Sequence, residues 1–137
     1  MSIISRAQPP PVARQRAVLI EDDDAVRRSL QLLLYARGYV VRAFGTASPF
    51  LADPRHEEID LLVTDYRLPD GDGLGVLRAM HLAGWHGRSV LITAFPSAML
   101  RDSARDCGFD AILEKPLRPN ELANAILPAA RARGRPA

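Results

Sequence analysis

The 137-residue sequence contains one cysteine, Cys107, and one lysine, Lys115. A lone cysteine excludes an internal disulfide, and three scattered histidines, His56, His81 and His86, cannot complete a zinc site around it. Leu100 and Ala104 precede Cys107 at helical spacing and Gly108 follows, so the thiol reads as a small buried hydrophobe near a helix end. There is no long apolar run, and residues 1–11 lack the apolar segment of about 7–15 residues that marks a signal peptide. A cytoplasmic protein with no membrane partner is therefore expected. The other 17 basic residues are all arginine, so a compact ammonium is singled out at position 115.

Charge is unevenly spread. The net value is +2, but residues 1–16 and 128–137 carry six arginines and no acid, while the middle has a surplus of acids. Neither tail interleaves aromatics with its arginines, so solubilising ends are favoured over a nucleic-acid surface. The chain is expected to divide into a flexible basic leader over 1–16 containing Pro9-Pro10-Pro11, one ordered domain over 17–127, and a short basic tail over 128–137. Ten residues after Leu127 are too few for an output domain, which predicts a stand-alone protein, with a piece of a longer regulator as the alternative.

Within the domain, short apolar runs alternate with helical patterns. Ala17-Val18-Leu19-Ile20 predicts a strand ending in Glu21-Asp22-Asp23-Asp24; Asp23 or Asp24 can cap a helix carrying Val26, Leu30, Leu33 and Leu34. Tyr39–Phe44 predicts a second strand, followed by a short helix opened by Thr46 or Ser48 and stopped at Asp53-Pro54. Leu61-Leu62-Val63 runs into Asp65, and Pro69, Gly71 and Gly73 require a loop just beyond it. A helix with Leu74, Leu77, His81 and Leu82 comes next, then a strand over Ser89–Ile92 leading into Thr93-Ala94. Ser97 caps a fourth helix through Cys107. Asp110–Leu113 leads into Glu114-Lys115-Pro116, and Pro119 opens a last helix. Parallel neighbours need crossover connections, so this alternation predicts an α/β doubly wound five-stranded parallel sheet with helices on both faces.

In such a sheet the carboxyl ends of the strands share one edge, where ligands bind. Glu21, Asp22 and Asp65, the Thr93 hydroxyl beside small Ala94, and Lys115 should converge there. Three crowded carboxylates repel one another unless a hard cation relieves them, and Mg2+ suits an all-oxygen site that also meets phosphate. A carboxylate such as Asp65 can act as nucleophile toward phosphorus if the charge on the transferred oxygens is neutralised.

From Glu21-Asp22, Asp65 with Leu68-Pro69 and Asp72-Gly73, Thr93-Ala94 and Lys115-Pro116, the chain over about 17–127 resembles the receiver domains of bacterial two-component response regulators. The resemblance implies the flavodoxin-like strand order 2-1-3-4-5 of the chemotaxis receiver. It implies Asp65 as phosphoacceptor, with Asp22 and Asp65 as direct Mg2+ ligands. The backbone carbonyl of Arg67 would be a third ligand, with Glu21 acting through a water. Thr93 would be the switch hydroxyl and Lys115 the counter-ion of the phosphoryl group. Glu21 stands where many members have Asp, one methylene shorter. Ile112 stands where the family usually has Tyr or Phe, so it cannot supply the ring of the threonine–aromatic switch; Phe95 and Phe109 are the candidates to replace it. Arg67 and Phe95, two residues after the acceptor and the threonine, occupy the positions that tune acyl-phosphate lifetime, and both are bulky.

The resemblance implies a receiver phosphorylated by a sensor histidine kinase or histidine phosphotransferase. It would be no enzyme beyond catalysing its own phosphorylation and dephosphorylation. Its output would pass through a changed surface, formed by the fourth helix, last strand and last helix, to a protein target, a homodimer or a phosphotransferase. The alternatives are a degenerate receiver that binds partners without phosphate, a haloacid-dehalogenase-like phosphatase, and a nucleic-acid binder using its tails. The phosphatase would need an acid where Arg67 stands.

Overall fold

Each short apolar run becomes a strand of one parallel sheet, because every pair of runs is separated by enough chain for a crossover helix. The computed structural model describes residues 14–53, 55 and 58–126. Most of the expected leader, the expected helix stop at Pro54 and the expected tail lie outside them. The strands are β1 (Gln15–Ile20), β2 (Tyr39–Phe44), β3 (Leu61–Asp65), β4 (Arg67–Leu68), β5 (Gly71–Asp72), β6 (Arg88–Thr93) and β7 (Ala111–Glu114). The helices are α1 (Asp24–Ala36), α2 (Ser48–Leu51), α3 (Gly73–Leu82), α4 (Ala98–Cys107) and α5 (Pro119–Ile126). The main sheet has the order β2-β1-β3-β6-β7, all parallel, which is the expected 2-1-3-4-5 once β4 and β5 are set aside.

Side-chain alternation sends successive strand residues to opposite faces and builds two cores. Ala17, Leu19, Leu61, Val63, Val90 and Ile92 meet Leu30 and Leu34 of α1 and Leu122 and Ile126 of α5. On the other face Val18, Ile20, Leu62 and Leu91 meet Phe50 of α2, Leu74, Leu77 and Met80 of α3, and Leu100 and Ala104 of α4. Leu61, Leu62 and Val63 are fully buried, as a central strand covered on both faces requires.

Several expectations are corrected. Gln15 and Arg16 pair with Tyr39 and Val40, so β1 starts two residues before the apolar run and the leader cannot extend to residue 16. Likewise Arg88 pairs with Leu61 and belongs to β6. Backbone ladders do not require an apolar side chain at every position. The loop after Asp65 contains an antiparallel hairpin, Arg67 opposite Asp72 and Leu68 opposite Gly71. Of the two expected openers of α2, Ser48 is its first residue, but the N-cap is Ala47 and no side chain caps the helix. Leu82 is 90% exposed because it lies about 200° around α3 from buried Met80. Caps expected elsewhere do form: Asp23 accepts from the Val26 amide and Ser97 from the Leu100 amide.

Candidate functional site

Parallel register carries the acids to one edge. Ile20 pairs with Thr64, so the next residue on each strand, Glu21 and Asp65, leaves the sheet side by side. The Glu21 amide continues the β1–β2 ladder by donating to the Phe44 carbonyl at 2.9 Å. Asp65 pairs with Ile92, which places Thr93 one step beyond it on the adjacent strand. The Lys115 amide donates to the Thr93 carbonyl at 2.8 Å, extending the ladder past β7 and bringing the lysine to the same edge.

The side chains meet there. The Lys115 ammonium donates to Asp65 Oδ2 at 2.7 Å and lies 2.8 Å from Glu21 Oε1. Glu21 is 1% exposed and Asp65 7%, so both charges sit largely out of water. Glu21 Oε2 accepts from the Asp23 amide at 3.0 Å, whereas Oε1 faces Lys115 as an ion pair without directed hydrogen-bond geometry. Burial pushes the Glu21 carboxyl above its usual value; Lys115 and the Asp23 amide oppose this and Asp65 reinforces it. Burial works against the Lys115 charge, but the hydrogen bond to Asp65 and the ion pair with Glu21 together outweigh it and raise the ammonium above its ordinary value.

Glu21, Asp22 and Asp65 each offer an oxygen, and the three lie within 4.8 Å of one another. An oxygen-only set of this span, two members buried and one exposed, fits a hard cation such as Mg2+ and lacks the nitrogen or sulfur ligands of a zinc site. Gly73 lets α3 start close beside β3: a Cβ there would lie 2.6 Å from the Asp65 carbonyl oxygen and 2.7 Å from Leu91 Cδ1.

The remaining expected residues fall around this centre. Thr93 is buried, and its hydroxyl accepts from the Phe95 amide at 3.1 Å. Ala94 and Phe95 are exposed. Arg67 and Phe95 meet each other, the guanidinium carbon 6.0 Å from the ring centroid. Ile112 packs against the core on the α2–α4 side. Phe109 is buried in that core, so of the two candidate replacement rings only Phe95 is free of it.

Two structural anchors escaped the sequence reading. Asp70, at the hairpin turn, accepts from the Ala47 and Ser48 amides and the Ser48 hydroxyl at 2.9, 2.8 and 2.6 Å. These bonds, the Ala47 amide first, hold its carboxyl down at about 2. Arg27, in the first turn of α1, donates to the Glu21 carbonyl at 2.8 Å and to Asp24 at 2.6 Å. An acid three residues before an arginine was the available signal for the second; nothing local marked the first.

Residues 17–127 match the response regulator receiver domain family. The transcriptional regulatory protein AruR of Pseudomonas aeruginosa is 34% identical over 112 residues, 78% of this chain and 46% of that protein. The transcriptional regulatory protein FixJ of Azorhizobium caulinodans is 35% identical over 98 residues, 72% and 46% of the two chains. A CheY-like receiver domain protein of Methanospirillum hungatei superposes with a TM-score of 0.76 at 28% identity, covering 83% of this chain and 91% of that one. The chain spans about half the length of the curated relatives it matches. Among the described residues no helix is long and apolar enough to cross a membrane. The sheet order, the strand-end acids beside a lysine and a match spanning both make this chain a member of the response regulator receiver domain family.

Proposed function

We propose that Asp65 accepts a phosphoryl group from a partner histidine kinase or histidine phosphotransferase in a Mg2+-dependent reaction. The observation that carries this reading is the Lys115 ammonium at 2.7 Å from Asp65 Oδ2, within a cluster that also contains Asp22 and Glu21. An Asp65 carboxylate oxygen bonds to phosphorus as the phosphorus–nitrogen bond of the donor's phosphohistidine breaks. The electron pair leaves with the imidazole nitrogen, and an acyl phosphate results. Asp22 and Asp65, with the Arg67 carbonyl, would hold the cation directly and Glu21 through a water; the cation would supply charge neutralisation at the transferred oxygens. Lys115 neutralises the same oxygens from the other side. The Thr93 hydroxyl retains a proton to donate while accepting from the Phe95 amide, which supports its role as the group that responds to the phosphoryl oxygens. Ala94 leaves the approach open, and Arg67 and Phe95 slow hydrolysis.

The domain, which begins with β1 at Gln15, signals by a shift between two conformers that changes the surface offered to a protein target or a second copy. The test is incubation of the purified chain with Mg2+ and acetyl phosphate, followed by intact-mass measurement of the wild type and Asp65→Asn. One added phosphoryl group in the first and none in the second is expected. No addition to either favours the degenerate receiver, and steady release of inorganic phosphate without a trapped adduct favours the phosphatase.

A further inference from the structure

The turn between β1 and α1 carries Asp22, and several groups flanking it are tied down. Glu21 N donates to Phe44 O, Asp23 N donates to Glu21 Oε2, and the Asp23 carboxylate caps α1. The Glu21 carbonyl is held by a side chain. It accepts from Arg27 Nη1 at 2.8 Å, while Nη2 of the same guanidinium binds Asp24 Oδ1 at 2.6 Å. One planar fork thus spans both flanks of Asp22. The fork also lies close to the chain after β2: a Cβ on Gly45 would lie 3.3 Å from Arg27 Nη1 and 3.9 Å from Cζ. A side chain at Gly45 would press on the guanidinium by a few tenths of an ångström.

We propose that Arg27 is a positioning residue for the cation pocket, holding the Glu21–Asp24 turn so that the Asp22 carboxylate stays within reach of Asp65 and Glu21. The inference rests on the Mg2+ reading above. The guanidinium is paired with exposed Asp24, and Arg27→Lys, which keeps the charge and removes the fork, separates geometry from charge. Lysine cannot replace it fully, because an ammonium has no rigid fork to join a carbonyl and a carboxylate. Groups that orient metal ligands typically carry about 10–100-fold in metal affinity.

The test titrates MgCl2 into the full 137-residue chain, using the wild type, Arg27→Ala, Arg27→Lys, Gly45→Ala and the Arg27→Ala/Gly45→Ala double variant. Two quantities are read: heat of Mg2+ binding without phosphodonor, and the Mg2+ concentration for half-maximal phosphorylation by acetyl phosphate. Arg27→Ala should weaken Mg2+ binding by about tenfold or more, with the phosphorylation rate at saturating Mg2+ nearly unchanged. Arg27→Lys should fall between. Gly45→Ala should weaken binding several-fold in the wild type, by pressing on the guanidinium, and have no effect once Arg27 is alanine. If Arg27→Ala does not fold, the lysine and Gly45 variants carry the same comparison. Unchanged Mg2+ affinity in these variants, tighter binding in Arg27→Ala, or equal effects of Gly45→Ala in both backgrounds would overturn the inference. A wild type indifferent to Mg2+ would overturn the cation reading and this inference with it; a dependent wild type with an indifferent Arg27→Ala overturns this inference alone.

Discussion

The Arg67 guanidinium lies over the Phe95 ring, 6.0 Å from its centroid, and so links the hairpin after β3 to the loop after β6. Both side chains are exposed, Phe95 to 73%, so the contact is a surface feature and contributes little to folding. Its place matters more, because the two residues stand two positions beyond Asp65 and Thr93. In the phosphoryl transfer proposed above, they would narrow the approach of a water in line with an acyl phosphate on Asp65. Arg67→Ala/Phe95→Ala is expected to shorten the lifetime of the phosphorylated protein by about tenfold, a barrier change of about 1.4 kcal/mol. The single changes should be non-additive by about 0.5–1 kcal/mol, the size of an exposed cation–π contact. Decay of the phosphorylated mass after donor removal measures this, and an unchanged lifetime in the double variant sinks it.

Lys115 is the only cation bonded to Asp65 among the described residues, and its ammonium also faces buried Glu21. Lys115→Met leaves both carboxylates without it. The expected loss is about 1–3 kcal/mol of stability, the cost of a buried polar group deprived of its partner. Removing one preorganised charge should lower the phosphorylation rate by about 10²–10³-fold. Urea unfolding and acetyl phosphate kinetics read the two effects separately, and a variant unaltered in rate would remove Lys115 from the chemistry.

Gly73 and Gly75 open the same helix in different surroundings. A Cβ at 73 meets the Asp65 carbonyl at 2.6 Å, whereas one at 75 meets only Asp72 Oδ1 at 3.7 Å. Gly73→Ala should cost about 1–3 kcal/mol by overpacking against backbone and should depress phosphorylation by displacing Asp65. Gly75→Ala should stabilise by about 0.5–1 kcal/mol, the helix preference of alanine over glycine. Equal effects at the two positions would contradict the close approach of α3 to β3.

The Asp70 carboxyl is held at about 2 by the Ala47 and Ser48 donors. A carboxyl depressed in the folded state contributes stability that is fully present above its unfolded value, near 4, and is lost as pH falls through its folded value. The difference in unfolding midpoint between the wild type and Asp70→Ala should therefore be constant above about pH 5 and shrink from pH 4 toward pH 2. Thermal unfolding across that range decides it; a difference that grows on acidification would reverse the assignment.

Much of the site was legible because strand ends announce themselves. An apolar run that stops at an acid, as at Ile20-Glu21 and Val63-Thr64-Asp65, marks where the chain leaves a buried sheet, and the single lysine stood at a strand end of the same kind. The hairpin at Arg67–Asp72 was hidden because Pro69 and two glycines signal a turn equally well with or without two residues of pairing on either side. Starts of strands were misjudged at Gln15 and Arg88 because polar residues extend a ladder through their backbone.

The sequence alone determined the fold class and the acids on one edge, since hydrophobic periodicity and connection length are local properties that leave a parallel sheet little alternative. Tertiary structure decided which groups touch. Lys115 reaches Asp65 across 50 positions, Asp70 clamps Ser48 across 22, Arg67 covers Phe95, and Phe109 is packed away while Phe95 is exposed. Each of these depends on strand register and on how closely a helix approaches the sheet. Those are set by packing summed over the whole core, and no short stretch of residues encodes them.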